Sequence, residues 1–511
     1  MNLRKLSGGG VPGDKNIICI GRSERHLEEL CDQFQAVEKI VAVLDGNPRN
    51  IGVLRLRGRE IPVYALEPEN LERLDLSDTV LVITDDYFRE CYDKLKALSG
   101  SGDPGTVYFF ADRETEYDLF YREKYRAAPL EDCIVFRSGP RPEEYVKGMD
   151  FADNARALFE YALSARLNRK YRLVWMVKNP EEFKAYEAYD NVSFLPFAGA
   201  ASEDVEARER YYRALCLARY FFFTDAYGFV RNCRKDQVRV QLWHGCGFKR
   251  RLNGTACMHR YDYMTVTSEL YAGLHAKEFG LRADQMLVTG CAKEDWLFQE
   301  NGDAWDKLKL PAAEKYIFWL PTYRFSGKEK EKPVDGRLCA ETGLPLVPSL
   351  RELELIDREL GKRGMVLVVK LHPFQDRQAV HVDGFSNIVL LEHEVLAEND
   401  IQVNQLLGRA DALISDYSSA AVDYLVLDRP MAFLVDDLEG YSGRRGFIFE
   451  NIQDWLPGRL VRDVEGLLAF IGEIGEGTDS TGGKRKALRA KMHRYGDGNN
   501  CRRILESLGV V

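Results

Sequence analysis

Four apolar runs in this chain end in side chains that could handle a phosphate or a proton. The first is VRVQLWHGCGFKR, Val238 to Arg250, where a β-branched run delivers His244, breaks at two glycines and ends in Lys249 and Arg250. The second is PTYR, Pro321 to Arg324. The third is KLHP, in which Lys370, His372 and Pro373 close a very apolar segment. The fourth is SDYSS, Ser415 to Ser419, followed by AAVDYLVLD with helical periodicity. Histidine titrates near neutrality and can take a proton from an attacking hydroxyl. Arginine holds planar oxyanions with two parallel N–H groups, so Arg324 suits a phosphate. If Ser418 and Ser419 open the helix that runs on through Asp423 and Leu427, their hydroxyls and the free backbone N–H groups form an anion site. An N-cap serine without a ligand reads the same way, as does a core histidine at His372.

Such groups need strands to carry them. NIICIG, a helical ERHLEELCDQFQ, KIVAVLD and TVLVITDD alternate strand and helix, the pattern of a small Rossmann-like unit over 1–120. Asp45 ends its second strand, about where an acidic residue meets a ribose. However, GRSERH holds one glycine where a dinucleotide fingerprint wants three, which favours a structural or regulatory role. The stretch from Ser99 to Pro129, opening SGSGDPG, reads as a boundary. RLVWMVK, NVSFLPF, ARYFFFTD, VRVQLWHG, YMTVTS and QMLVTG then form a second α/β unit over 130–300. KYIFWLPTYR, MVLVVKLHP, NIVLLE, DALISDYSS and PMAFLV form a third over 301–511, ending in a basic helix. Two successive doubly wound units imply a cleft between them, with ligands at the carboxyl ends of strands.

At 511 residues the chain is long enough for two or three domains. Its net charge of −9 argues against nucleic acid as a partner, so any anion site is local. Eleven cysteines with no CxxC spacing indicate neither a zinc site nor a disulfide framework, and the expectation is no bound metal. The N-terminus has no apolar stretch after its early cations and no run is long enough to cross a bilayer; cytoplasmic placement is expected. The segment KRKALRAKMHRYGDGNNCRR, Lys484 to Arg503, is strongly basic within an acidic chain. It reads either as a solvated helix face or as a contact with anionic lipid.

LWHG with its following lysine, VTG with an aspartate five residues after the glycine, LPTYR, KLHP, ISDYSSAAVDYLVLDRPMAFLVDDLEGY, RRGFIF with LPG, and YGDGNNCRRI occur in this order. Together they resemble the CDP-glycerol glycerophosphotransferases of teichoic-acid synthesis, from about Val174 to the C-terminus. The resemblance implies a GT-B fold, two facing Rossmann-like domains, here preceded by the smaller N-terminal unit. It implies transfer of glycerol phosphate or a related polyol phosphate from a CDP-activated polyol to a hydroxyl of a lipid-linked or glycan acceptor, with release of CMP and no cofactor. It also implies peripheral contact with the inner face of the membrane, where such acceptors lie. His244 would be the base. Arg324, His372, Ser418 and Ser419 would hold the donor pyrophosphate, with Lys370 beside them and Asp423 at a recurrent position whose role is open. Lys249, Arg250 and Lys293 would lie on the acceptor side. Where relatives usually read WHGTPLK and GYPRND, this chain has WHGCGFK and GCAKED, placing Cys246 beside the base and Lys293 where arginine is usual. Those departures bear on donor and acceptor identity. They leave open a GT-B glycosyltransferase or epimerase using a nucleotide sugar, and a non-catalytic nucleotide-binding envelope protein.

Overall fold

The computed structural model describes residues 2–5, 15–34, 37–46, 50–73, 78–85, 88–98, 106–111, 113–139, 146–224, 233–250, 261–322, 341–372 and 377–511. Arg324 and Pro373 lie outside them. The chain is α/β and builds three sheets, each largely parallel because helices cross over between successive strands.

The second sheet runs Val192–Pro196, Arg172–Val177, Glu131–Arg137, Ala218–Phe223, Val238–Gln241, Tyr263–Val266 and Met286–Val288, parallel throughout. The third runs Ile388–Leu391, Met365–Lys370, Lys315–Leu320, Ala412–Ser415, Met431–Leu434 and Arg459–Val461, also parallel. In both, the first strand in sequence lies mid-sheet, the next two go to one side and the rest to the other. Connections therefore diverge at one point, where a crevice opens beyond the strand ends. In the third sheet that point lies between Lys315–Leu320 and Ala412–Ser415. The central strands are buried on both faces, which is why IFWL, MVLVVK and ALIS read as unbroken apolar runs.

Every strand expected from NIICIG to PMAFLV is present. Glu131–Arg137 was not anticipated, because a charged pair opens it and its apolar part is brief. Nor was the hairpin Gly52–Leu56 with Arg59–Ala65, the antiparallel edge of the first sheet, whose solvent side carries arginines and glutamate. The stretch read as a boundary holds the strand Thr106–Phe109 of the first sheet and the helix Arg113–Lys124. That helix docks on Val205–Leu217 of the second unit, Tyr121 stacking on Tyr212 with ring centroids 4.8 Å apart and Lys124 Nζ reaching Glu209 at 2.6 Å. In the first unit Asp45 accepts hydrogen bonds from the Arg22 N–H (2.8 Å) and the Asn50 amide (3.1 Å). Its carboxylate thus pins its own turn.

The second and third sheets share one core. Cys246, Phe248, Met264 and Val266 pack with Phe318, Val366, Leu413, Tyr417 and Phe433. The basic stretch divides into two helices, Gly482–Met492 and Asn500–Ser507. The second, expected with the third unit, instead crosses back and buries Cys501, Ile504 and Leu505 against Ile134, Phe159 and Trp175 of the second. Asp295 holds its start by accepting from the Asn500 and Cys501 N–H groups, both at 2.8 Å, where the positive end of the helix favours a carboxylate. Many of its cations serve this packing: buried Arg485 pairs with Asp428 and Asp479, and Arg489 donates to the Val426 carbonyl.

Gly290 lies under this crossing with φ +84°, and a Cβ there would overlap the Asn500 side chain. Gly290→Ala should therefore unseat the last helix and cost about 1–3 kcal/mol, read as a lowered melting temperature.

Candidate active site

His244 follows the strand Val238–Gln241 by three residues, and the turn between them is forced. Trp243 takes a left-handed φ of 53°, costly for a bulky residue, and is held there by its N–H donating to Gln241 Oε1 (2.9 Å) while its carbonyl accepts from the Asn154 amide (2.9 Å). The indole packs against Phe279 and the His244 ring. His244 is then presented half-exposed, with Nδ1 3.2 Å from Asp153 Oδ2. A carboxylate accepting at Nδ1 leaves Nε2 as the basic nitrogen facing the cleft.

Asp153 opens the helix Asp153–Ser164 with a left-handed φ of 60°. Its other oxygen lies 3.1 Å from Lys293 Nζ, which lies 3.2 Å from Asp423 Oδ2 and donates to the His244 carbonyl at 2.6 Å. The Lys293 N–H donates to Asn154 Oδ1 (3.0 Å), closing the ring. A line of alternating charge therefore runs His244–Asp153–Lys293–Asp423 from the second unit into the third. Burial alone would raise the Asp153 carboxyl, but Lys293 and His244 hold it well below the usual carboxylate range. Burial would likewise lower the Lys293 ammonium, and the two aspartates hold it well above its ordinary value. Asp423, fully buried, is raised by burial, with Lys293 opposing. Asp423, whose role was open, is thus the far anchor of Lys293.

The glycines after His244 serve close approach. Gly245, at φ +105°, sits where a Cβ would stand 2.9 Å from Asp423 Oδ1, and a Cβ on Gly247 would be 3.2 Å from that of Ser419. The loop then pairs with the third unit: Arg250 N–H donates to Gly446 O (3.1 Å) and Ile448 N–H to Phe248 O (2.9 Å), so GFKR and RRGFIF form a short antiparallel bridge.

Across the cleft, Asp416 accepts from the Thr322 N–H (2.9 Å) and hydroxyl, tying the two strand ends at the divergence point of the third sheet. Lys249 donates to the Thr322 hydroxyl (3.3 Å) and lies 5.6 Å from the Tyr441 ring centre. It therefore stands against the third unit, and Arg250 is exposed with its backbone bound to Gly446. The helix after SDYSS is shorter than its periodicity suggests, Ala420–Leu425; Ser418 Oγ accepts from the Ala420 N–H at 3.4 Å, while the Ser419 side chain makes no cap. Lys370 is buried at the end of its strand, its ammonium pushed down to about 8 by burial with Glu394 opposing. His372 is pulled down to about 3 by burial and then by the charges of Lys370, Lys249, His393 and His244. These groups share one field, and an anion among them would relieve it.

The structure thus gathers His244, Lys293, Asp423, Lys249, Lys370, His372, Ser418 and Ser419 at one seam. Asp153 and Asn154 were not foreseen: FADNARALF reads as an ordinary helix start with an acidic first turn. A cavity of about 790 Å³ lined by Phe298, Arg409, Asp428, Arg429 and Arg489 contains none of these residues.

The family model described as CDP-glycerol:poly(glycerophosphate) glycerophosphotransferase matches residues 132–509. The teichoic acid poly(glycerol phosphate) polymerase of Staphylococcus epidermidis is 25% identical over 379 residues, 68% of this chain and 48% of that protein. The teichoic acid ribitol-phosphate polymerase TarL of Staphylococcus aureus is 26% identical over 57% of this chain and 51% of its own length. The teichoic acid glycerol-phosphate primase of Bacillus subtilis is 28% identical over 56% of this chain and 70% of its own. The chain spans about half the length of the first two of these relatives. In fold it is similar to the wall teichoic acid polymerase TagF, with a TM-score of 0.58 at 21% identity over 83% of this chain and 96% of that one. A variant of that polymerase soaked with CDPG gives a TM-score of 0.57 at 19% identity, over 83% of this chain and 97% of that one.

Proposed function

The chain belongs to the CDP-glycerol:poly(glycerophosphate) glycerophosphotransferase family, and from that premise we propose that it transfers glycerol phosphate, or a related polyol phosphate, from a CDP-activated donor to an acceptor hydroxyl. The observation that carries this reading is the His244 imidazole, held at Nδ1 by Asp153, at a seam where the Lys249 and Lys370 ammoniums flank a neutral His372. His244 Nε2 takes the proton of the attacking hydroxyl as its oxygen bonds to the distal phosphorus. The P–O bond to CMP breaks, and the cations with the N–H groups after SDYSS hold the charge on the phosphoryl and leaving oxygens.

On this reading the second and third units are the halves of a GT-B fold and residues 1–120 are a Rossmann-like accessory domain. Arg324 joins Lys370, His372, Ser418 and Ser419 on the donor, and the acceptor is lipid-linked or polymeric. Lys484, Lys486, Lys491 and Arg494 are exposed on one stretch, which suits attachment at the inner membrane face. No described helix is long and apolar enough to cross a membrane.

Incubating the protein with CDP-glycerol or CDP-ribitol and a lipid-linked polyol-phosphate acceptor should release CMP with one of the two donors. Turnover of a UDP-sugar instead would move the chain to the glycosyltransferases. Donor binding without CMP release for any acceptor would make it a non-catalytic binder.

A further inference from the structure

Behind the Lys293 ion pair, side chains that prefer a cation meet in a place closed to solvent. Cys291 Sγ, a carboxylate oxygen of Glu294 and one of Asp423 all lie within 4.8 Å of one another, and the three residues are 1%, 0% and 0% exposed. The Cys246 thiol lies beside that of Cys291 and helps hold it protonated. Cys246 stands in the loop after His244, and Cys291 and Glu294 flank Lys293 in the GCAKED turn.

The hydrogen bonding is incomplete. Glu294 Oε2 accepts from the Asn500 amide (2.8 Å) and the Cys291 N–H (3.2 Å), but Oε1 has no hydrogen-bond partner. Facing it at 3.7 Å is His493 Nδ1, also buried and without one. His493 Nε2 lies 2.8 Å from the Val422 carbonyl, so Nε2 carries the hydrogen and Nδ1 a lone pair. Two polar atoms thus face each other unpaired in a dry interior, where buried polar atoms normally find partners. A backbone carbonyl fixing the remote nitrogen is also the usual outer support of a metal-binding histidine.

We propose that Cys291, Glu294 and Asp423 form a binding site for a divalent, thiolate-tolerant cation of the zinc class, with His493 Nδ1, which faces Glu294, drawn in as the fourth donor. Sulfur, nitrogen and carboxylate oxygen are its usual ligands. Donors about 2.0–2.3 Å from such an ion stand about 3.3–3.8 Å apart on a tetrahedron; the Glu294–His493 pair has that spacing, and the Cys291, Glu294 and Asp423 donors, within 4.8 Å of one another, would draw in around the ion. Cys246 donates its S–H to the metal-bound sulfur. The ion clamps the GCAKED turn to the helix Ala420–Leu425 and, through Asp423 and Lys293, positions Asp153 and His244.

The test is the metal content of the untagged full chain, purified without chelator. About one zinc per chain is expected, removable by chelator, with zinc(II) alone rebinding to a single site and raising the melting temperature. Glu294→Gln, which keeps shape, and Cys291→Ser should each lose the zinc while retaining the far-ultraviolet circular dichroism of the parent. Cobalt(II) in the parent should show a thiolate charge-transfer band that Cys291→Ser lacks. Less than about a tenth of an equivalent of zinc with no saturable rebinding, or zinc retained by both variants, would overturn the proposal.

Discussion

Replacing His244 by alanine lowers CMP release by about 10²–10⁴-fold, and Asp153→Asn, which keeps the shape of the side chain, costs a comparable factor. Asp153 meets His244 Nδ1 at 3.2 Å and, as a carboxylate, can only accept there. The asparagine amide can donate instead, trapping the tautomer whose hydrogen sits on Nε2 and so blocking the nitrogen that must take the substrate proton. Donor binding should change little, because neither residue holds the diphosphate in this reading. Titration calorimetry with CDP-glycerol or CDP-ribitol separates the two effects. Since the residues act as a unit, the double variant should lose no more than His244→Ala alone. Full additivity, or unimpaired turnover in Asp153→Asn, would remove Asp153 from the proton path.

The elements that carry chemistry were legible because each ends a strand buried on both faces. An apolar run such as MVLVVK leaves no doubt where it stops, and what stops it, KLH, is then conspicuous. The same logic located His244 and the SDYSS serines, and it singled out the strand end whose Thr322 ties to Asp416. It could not find Asp153, since a carboxylate at a helix start is commonplace and only folding brings it to a histidine 91 residues away. The cluster of Cys291, Glu294, Asp423 and His493 was hidden for the same reason. Metal-ligand spacing is a local signal, and these donors come from three separate stretches. The two glycines at which the His244 run breaks do more than end it: Gly245 and Gly247 admit the neighbouring unit. The basic C-terminal stretch misled in another way: its periodicity marks helices, but Arg485 and Arg489 face inward onto residues 426–428.

Lys293→Met should be the most destabilising single change at the seam, by about 3–5 kcal/mol at pH 7–8, because it leaves two carboxylates without their cation. Asp423 is 1% and Asp153 23% exposed at the side chain, so water compensates neither well. Lys293→Arg, the residue usual in relatives, should restore most of the loss. The pH dependence identifies the cause. In the parent, Asp153 is held below the ordinary carboxylate range of about 4, so its contribution is full above that pH and is lost as pH falls through the lowered value. In Lys293→Met only His244 still holds Asp153 down and nothing opposes the burial of Asp423, so the orphaned carboxyls take protons at higher pH than in the parent. The gap in melting temperature between parent and variant should therefore be widest at pH 7–8 and shrink toward pH 4. A second substitution, Asp423→Asn, should recover part of the stability at neutral pH by removing one orphaned charge. A gap that stays constant from pH 4 to 8 would mean that Lys293 stabilises the seam through its packed alkyl chain. The line of charge from His244 to Asp423 would then serve the chemistry and leave the seam to its apolar core.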